Sequence, residues 1–170
     1  MARPRGTGTG APGADAGALH KAGWFIYPFF AIHMLAFGLS GFFLAYGPRA
    51  PDLLFLYMHG GIAIVVYLVF YLTIFGRDQV TWMLLNAALG VLGIYAQVGW
   101  ILARFGRRIG DYPWYVHVVP FMYYVLYTFL LRQFLIDATR SRHDARRRSI
   151  VDTLYVLLSL TVYGLLLLRR

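Results

Sequence analysis

The chain has 170 residues, of which 59% are hydrophobic and 14% are charged, and its formal net charge is +9. A soluble domain carries about a quarter charged residues, so this composition excludes a fold whose whole surface faces water. Cysteine and glutamate are absent, which excludes disulfides, thiolate metal sites and the glutamate-rich di-iron pattern of helical bundles.

The first segment, residues 1–22, consists mainly of Gly, Ala, Pro and Thr with the basic residues Arg3, Arg5 and Lys21. It has no apolar face to bury, so we predict a flexible N-terminal tail on the cytoplasmic side. The apolar run that follows is too long for a signal peptide and has no clear cleavage site. We therefore expect residues 23–170 to form a single transmembrane domain.

Apolar runs with short polar connections make up the rest of the chain. Each has roughly 19 to 24 residues, which matches the ~20 needed to cross ~30 Å of hydrocarbon. Backbone groups in lipid must be paired within the segment, so each run is a helix. The sequence predicts an all-α, polytopic transmembrane bundle with five spans: 24–46, 53–75, 80–103, 113–136 and 150–168.

The distribution of basic residues predicts the orientation. With the N-terminus inside, ten basic residues lie on the cytoplasmic side and six on the outer side, which favours N-in and C-out. The cluster Arg104–Arg108 lies on the outer side against this rule. We expect a multi-pass protein of the bacterial cytoplasmic (inner) membrane.

Two spans carry polar stripes. In the third, Asn86, Gly90, Gly93 and Gln97 share one helical face. This is typical of close helix packing, and the alternative is a cavity or ligand site. In the fifth, Asp152 is an ionisable group within an apolar run, which marks a functional candidate. However, Ser149-x-x-Asp152 is a capping-box pattern, so we interpret Asp152 as a helix cap. Arg148 lies four residues earlier, and we expect it to pair with Asp152.

Histidines in the second and fourth spans form the most informative pattern. At ~1.5 Å per residue, His59 and His117 lie roughly 9 Å and 6 Å from the same membrane boundary, whereas His33 lies roughly 20 Å from it. Two histidines at one level are what axial ligation of b-type haem requires. Tyr124 shares a face with His117 and gives the pocket an aromatic wall. A quinone, or packing alone, would suit the same residues.

The connection between the last two spans has five arginines in nine residues. Such a stretch orients the protein and contacts anionic lipid headgroups. Arginine also binds phosphate and carboxylate in a bidentate way, so an acidic partner or phosphorylated substrate is the alternative. The residues concerned are Arg140, Arg142, Arg146, Arg147 and Arg148.

Three functions remain open. The first is a non-enzymatic subunit or accessory protein of a membrane complex, with the bilayer and other membrane subunits as partners and no role for nucleic acid. The second is an electron-transfer module with haem b or quinone at His59 and His117. The third is an enzyme or carrier for a phosphorylated lipid at the arginine stretch. No catalytic set follows from spacing, so an enzyme is the less favoured reading.

Overall fold

The computed structural model describes residues 13–48 and 51–169, with side chains described from Trp24 onward except at Asp78 and Val80. The described chain is an all-α bundle of five long helices. The long helices are α1 (Gly13–Tyr46), α2 (Leu53–Phe75), α3 (Arg77–Arg104), α4 (Val118–Ala138) and α5 (Ala145–Leu168). Two short 3-10 helices, Ile109–Asp111 and Trp114–His117, precede α4.

All five long helices are long and apolar enough to cross a membrane, which confirms the predicted integral membrane bundle. The first two candidate spans, Trp24–Tyr46 and Leu53–Phe75, coincide with the predicted ones. The fifth begins at Ala145, five residues before the predicted start. The predicted tail covers residues 1–22, of which residues 1–12 lie outside the described residues. Residues 13–22 form the first turns of α1. The flexibility of the tail stays a prediction.

The helix ends follow from local chemistry. Asp52 caps α2, because its carboxylate accepts a hydrogen bond from the backbone N–H of Phe55 at 3.0 Å. Gly76 alone joins α2 to α3, with a φ of 85° that favours glycine. At the start of α5, the carboxylate of Asp144 accepts from the N–H groups of Arg146 and Arg147. These caps supply partners for helix N–H groups that have none within the helix.

The fourth helix is the centre of the bundle, because α4 contacts α1, α2, α3 and α5. Its side chains Val119, Leu126 and Phe129 are almost fully buried. By contrast, α5 packs mainly on α3 and α4 and exposes most of its apolar side chains. The polar groups that α3, α4 and α5 bury against one another therefore lie on the α5 side of the central helix.

Candidate functional site

The capping interpretation of Asp152 is wrong. The cap of α5 is Asp144, and Asp152 lies about two turns further along the helix. There it is buried, with 8% of its surface exposed. The sequence pattern is misleading because the arginine-rich residues before Ser149 are helical and extend α5 toward its N-terminus.

Asp152 forms an ion pair with Arg132 of α4. The Nε of Arg132 donates to Oδ1 at 2.8 Å and Nη2 donates to Oδ2 at 3.0 Å, so the pair is bidentate. Arg132 is fully buried, and its guanidinium lies 3.9 Å from the centre of the Trp82 ring. The carboxylate and the ring together compensate a charge that would otherwise be very costly at this depth.

Gln79, near the start of α3, connects this pair to the arginine stretch. Its side-chain oxygen accepts hydrogen bonds from Arg132 at 3.4 Å, from Gln133 at 3.3 Å and from Arg148 at 2.8 Å. The expected pairing of Arg148 with Asp152 is therefore wrong. Among the described side chains, Arg148 has a neutral amide as its partner and no carboxylate, so its positive charge is not neutralised there.

A groove of about 670 Å³ opens beside this network, where the α4–α5 loop meets the start of α3. We call it the arginine groove. Polar atoms come from the loop and α5, and an aromatic wall comes from α3. Its polar and aromatic lining includes Trp82, Arg142, His143, Arg148, Ser149 and Asp152.

The other arginines of the stretch have different environments. Arg142 forms a bidentate ion pair with Asp137 at 2.7 and 2.8 Å, and this hydrogen-bonded pairing raises the pKa of Arg142. Asp137 also accepts from the hydroxyl of Tyr27. Arg147 pairs with Asp144 at 3.3 Å on the surface. These two charges are balanced by acids, whereas the described side chains offer no acid to Arg148.

Arg140 and Arg146 are exposed, and neither lines the groove. Arg140 has a φ of 54°, where the chain turns out of α4. The backbone N–H of Arg146 contributes to the Asp144 cap. The predicted headgroup contacts at the five arginines stay predictions, and the structure separates Arg142 and Arg148, which line the groove, from the other three.

His59 and His117, the predicted histidine pair, hydrogen-bond to two different residues of α1. Nε2 of His59 lies 3.0 Å from the hydroxyl of Ser40, and Nδ1 of His117 lies 2.7 Å from the hydroxyl of Tyr46. Ser40 and Tyr46 are six residues apart on α1, which corresponds to about 9 Å along the helix. The two imidazoles are therefore anchored at different heights of α1.

The space at Gly60, next to His59 on the side of α2 that faces α4, is also filled. A Cβ atom at Gly60 would clash with the side chain of Val119, because α4 packs directly on the glycine. A flat macrocycle cannot occupy the same space as this helix contact. The described residues thus do not fit haem held between His59 and His117, and the haem and electron-transfer predictions find no support in this geometry.

Tyr124 faces a different part of the bundle. Its hydroxyl hydrogen-bonds that of Tyr163 in α5. The same hydroxyl lies so close to Gly93 that a Cβ atom at this position would clash with it. Nearby, the hydroxyl of Tyr155 donates to Oδ1 of Asn86 at 3.1 Å. The structure therefore uses Tyr124 and the glycines of the third-span stripe for helix packing.

Sequence reasoning missed Arg132 and Gln79 as members of the site. A usable signal existed: Arg132 lies six residues before the end of α4 and Asp152 seven residues after the start of α5. Consecutive antiparallel helices place such positions at similar depth, and opposite charges at similar depth in lipid are expected to pair. The orientation prediction includes Arg132 among the ten basic residues on the cytoplasmic side.

Comparisons with family models, curated proteins and solved structures find no match for this chain. Within the described residues, no three His, Asp or Glu side chains form a group that could hold a metal ion. The function is therefore inferred from the geometry of the site alone.

Proposed function

We propose that this chain is a non-enzymatic accessory protein of a membrane complex that holds a phosphate-bearing anionic lipid headgroup in the arginine groove. The observation that carries the proposal is Arg148. Its guanidinium lines the groove, and its described partner is the neutral side chain of Gln79. A phosphate group would supply the missing negative charge and accept a bidentate contact.

The position of the groove supports a lipid as the source of that phosphate. It lies at the end of α5 where the apolar span gives way to the basic loop, so headgroups are adjacent. Its walls combine the arginines with apolar side chains of α5, Val156 and Leu157, which suit the upper part of an acyl chain. Under the N-in orientation, this end faces the cytoplasmic leaflet, which is the more anionic one.

The buried pair behind the groove supports a binding role. Asp152 lines the groove, but both of its oxygens accept from Arg132. A carboxylate held in this way keeps its charge neutralised and does not repel an arriving phosphate. Gln79 then fixes the guanidinium of Arg148 at 2.8 Å, so the groove is organised before the lipid arrives.

The test is lipid binding in nanodiscs of phosphatidylcholine with a small fraction of phosphatidylglycerol, read by native mass spectrometry of the retained lipid. We expect Arg148→Gln to weaken phosphatidylglycerol retention about tenfold, as for a lost charge-assisted contact of ~1.5 kcal/mol. The matched control is Arg146→Gln, which removes the same charge two residues away from an exposed position outside the groove.

Equal losses in the two variants would contradict the proposal, since they would show attraction by net charge alone. Equal retention of phosphatidylcholine and phosphatidylglycerol by the unmodified protein would contradict it as well. Conversion of the bound lipid into a new species would favour the enzyme or carrier hypothesis over an accessory role.

A further inference from the structure

A second groove, of about 480 Å³, lies between α1 and α2 and shares no lining residue with the arginine groove. We call it the histidine groove. Its walls are mostly apolar and aromatic, but two imidazoles face it. The lining includes Phe29, His33, Phe37, Met58, His59 and Tyr67.

The hydrogen bonds around His59 favour one tautomer of its imidazole. The hydroxyl of Ser40 donates its hydrogen to the carbonyl of Phe37 at 2.8 Å. With its one hydrogen on that carbonyl, the Ser40 hydroxyl accepts from Nε2 of His59, 3.0 Å away. In the neutral imidazole, Nδ1 is therefore an acceptor, and the described residues give it no partner.

His33 has the complementary arrangement. Its Nδ1 lies 2.8 Å from the carbonyl oxygen of Phe29, so Nδ1 must be the donor. Nε2 is then an acceptor without a partner among the described side chains. His33 is exposed and lies nine residues after Trp24, about 14 Å into the span. A polar acceptor without a partner is costly against hydrocarbon at that depth.

We infer that the histidine groove binds a lipophilic para-diol of the quinol class, with one hydroxyl donating to Nε2 of His33 and the other to Nδ1 of His59. Ser40, which hydrogen-bonds His59, lies seven residues after His33 on α1. The imidazoles of His33 and His59 are therefore about 10 Å apart along the axis of α1. A single ring with para hydroxyls and a hydrogen bond of ~2.8 Å at each end spans a similar distance. The ring of Phe37, 5.2 Å from that of His59, offers a face for the bound ring.

This site is separate from the arginine groove and does not depend on the proposed lipid binding. It also differs from the site predicted from sequence, since it pairs His59 with His33 instead of His117. The inference concerns binding, and no electron transfer is part of it.

The experiment uses the full chain in phosphatidylcholine nanodiscs with ¹⁵N-labelled histidine and three probes: decylubiquinol, its dimethyl ether and decylubiquinone. We expect saturable binding of the quinol, with shifts of the unprotonated nitrogens of His33 and His59. The ether, which lacks the hydroxyl donors, and the quinone should each bind at least tenfold more weakly. His33→Phe and His59→Phe should each weaken quinol binding by a similar factor.

Equal binding of the quinol and its ether would overturn the inference, because the groove would then select for apolar shape alone. Loss of binding in His117→Gln but not in His33→Phe would also overturn it and return the site to His59 and His117. Because His33 is exposed, the His33→Phe variant keeps the bundle packing and makes the test independent of folding.

Discussion

Arg132 and Asp152 are joined by two hydrogen bonds of 2.8 and 3.0 Å inside the bundle, twenty residues apart in sequence. The pair links α4, the central helix, to α5, which also hydrogen-bonds α4 through Tyr163 and Tyr155. Its Trp82 neighbour adds α3 to the same contact. One charged contact thus joins α3, α4 and α5.

Removing one partner of this pair should be strongly destabilising. Asp152→Asn leaves the buried guanidinium of Arg132 without its counter-charge, for which we expect a loss of about 3–5 kcal/mol in the free energy of unfolding. The double variant Arg132→Met with Asp152→Leu should be more stable than Asp152→Asn, because no charge is left unpaired. Reversible unfolding in mixed detergent micelles measures both.

The matched control for that experiment is Asp144→Asn, which removes a carboxylate from the same helix. Asn caps a helix about as well as Asp, and the exposed pair with Arg147 contributes at most ~1 kcal/mol. A loss in Asp144→Asn as large as that in Asp152→Asn would contradict the importance of the buried pair.

Neighbouring glycines of α2 should respond in opposite ways to a methyl group. Gly60→Ala forces its Cβ into Val119 of α4, and overpacking of this kind costs about 1–3 kcal/mol. Gly61→Ala meets nothing within 4 Å, so it should be neutral or gain up to ~1 kcal/mol from helix propensity. Thermal unfolding of the two variants compares them directly.

Val119→Ala in the Gly60→Ala background provides the rescue, since it removes the methyl groups that the new Cβ would meet. If the double variant is no more stable than Gly60→Ala, close packing of α2 on α4 is not the source of the loss.

The hydroxyl of Tyr155 should contribute measurably to stability. It donates to Oδ1 of Asn86 at 3.1 Å and lies 3.3 Å from the carbonyl oxygen of Thr128. Tyr155→Phe leaves the buried amide oxygen of Asn86 without that donor, so we expect a loss of about 1 kcal/mol in unfolding free energy. Tyr127→Phe is the control, because Tyr127 is exposed; the idea fails if both variants lose stability equally.

The predicted orientation is open to a direct test. With the N-terminus inside, an alkaline phosphatase domain fused after Arg170 should be exported and active, whereas green fluorescent protein at that position should be dark. The physical reason is the excess of basic residues on the N-terminal and α4–α5 sides. The reverse pattern of the two reporters would place the arginine groove at the outer leaflet.

The sequence by itself determined the all-α bundle and its five spans, because apolar length and the need to pair backbone groups in lipid leave no other solution. It also indicated that the third-span stripe would pack against another helix, as Gly93 does against Tyr124. These are properties of one segment at a time, and helical periodicity is enough to read them.

Only the tertiary structure decided which polar groups meet. Asp152 matches a local capping pattern, yet it pairs with Arg132 because α5 begins earlier and lies beside α4. Counting residues from the membrane boundary predicts that His59 and His117 lie at the same depth. In the structure, His59 contacts Ser40 of α1 and His117 contacts Tyr46 of α1. Depth follows from counting residues, but the azimuth of each helix depends on packing against all its neighbours, and that information is not local in the sequence.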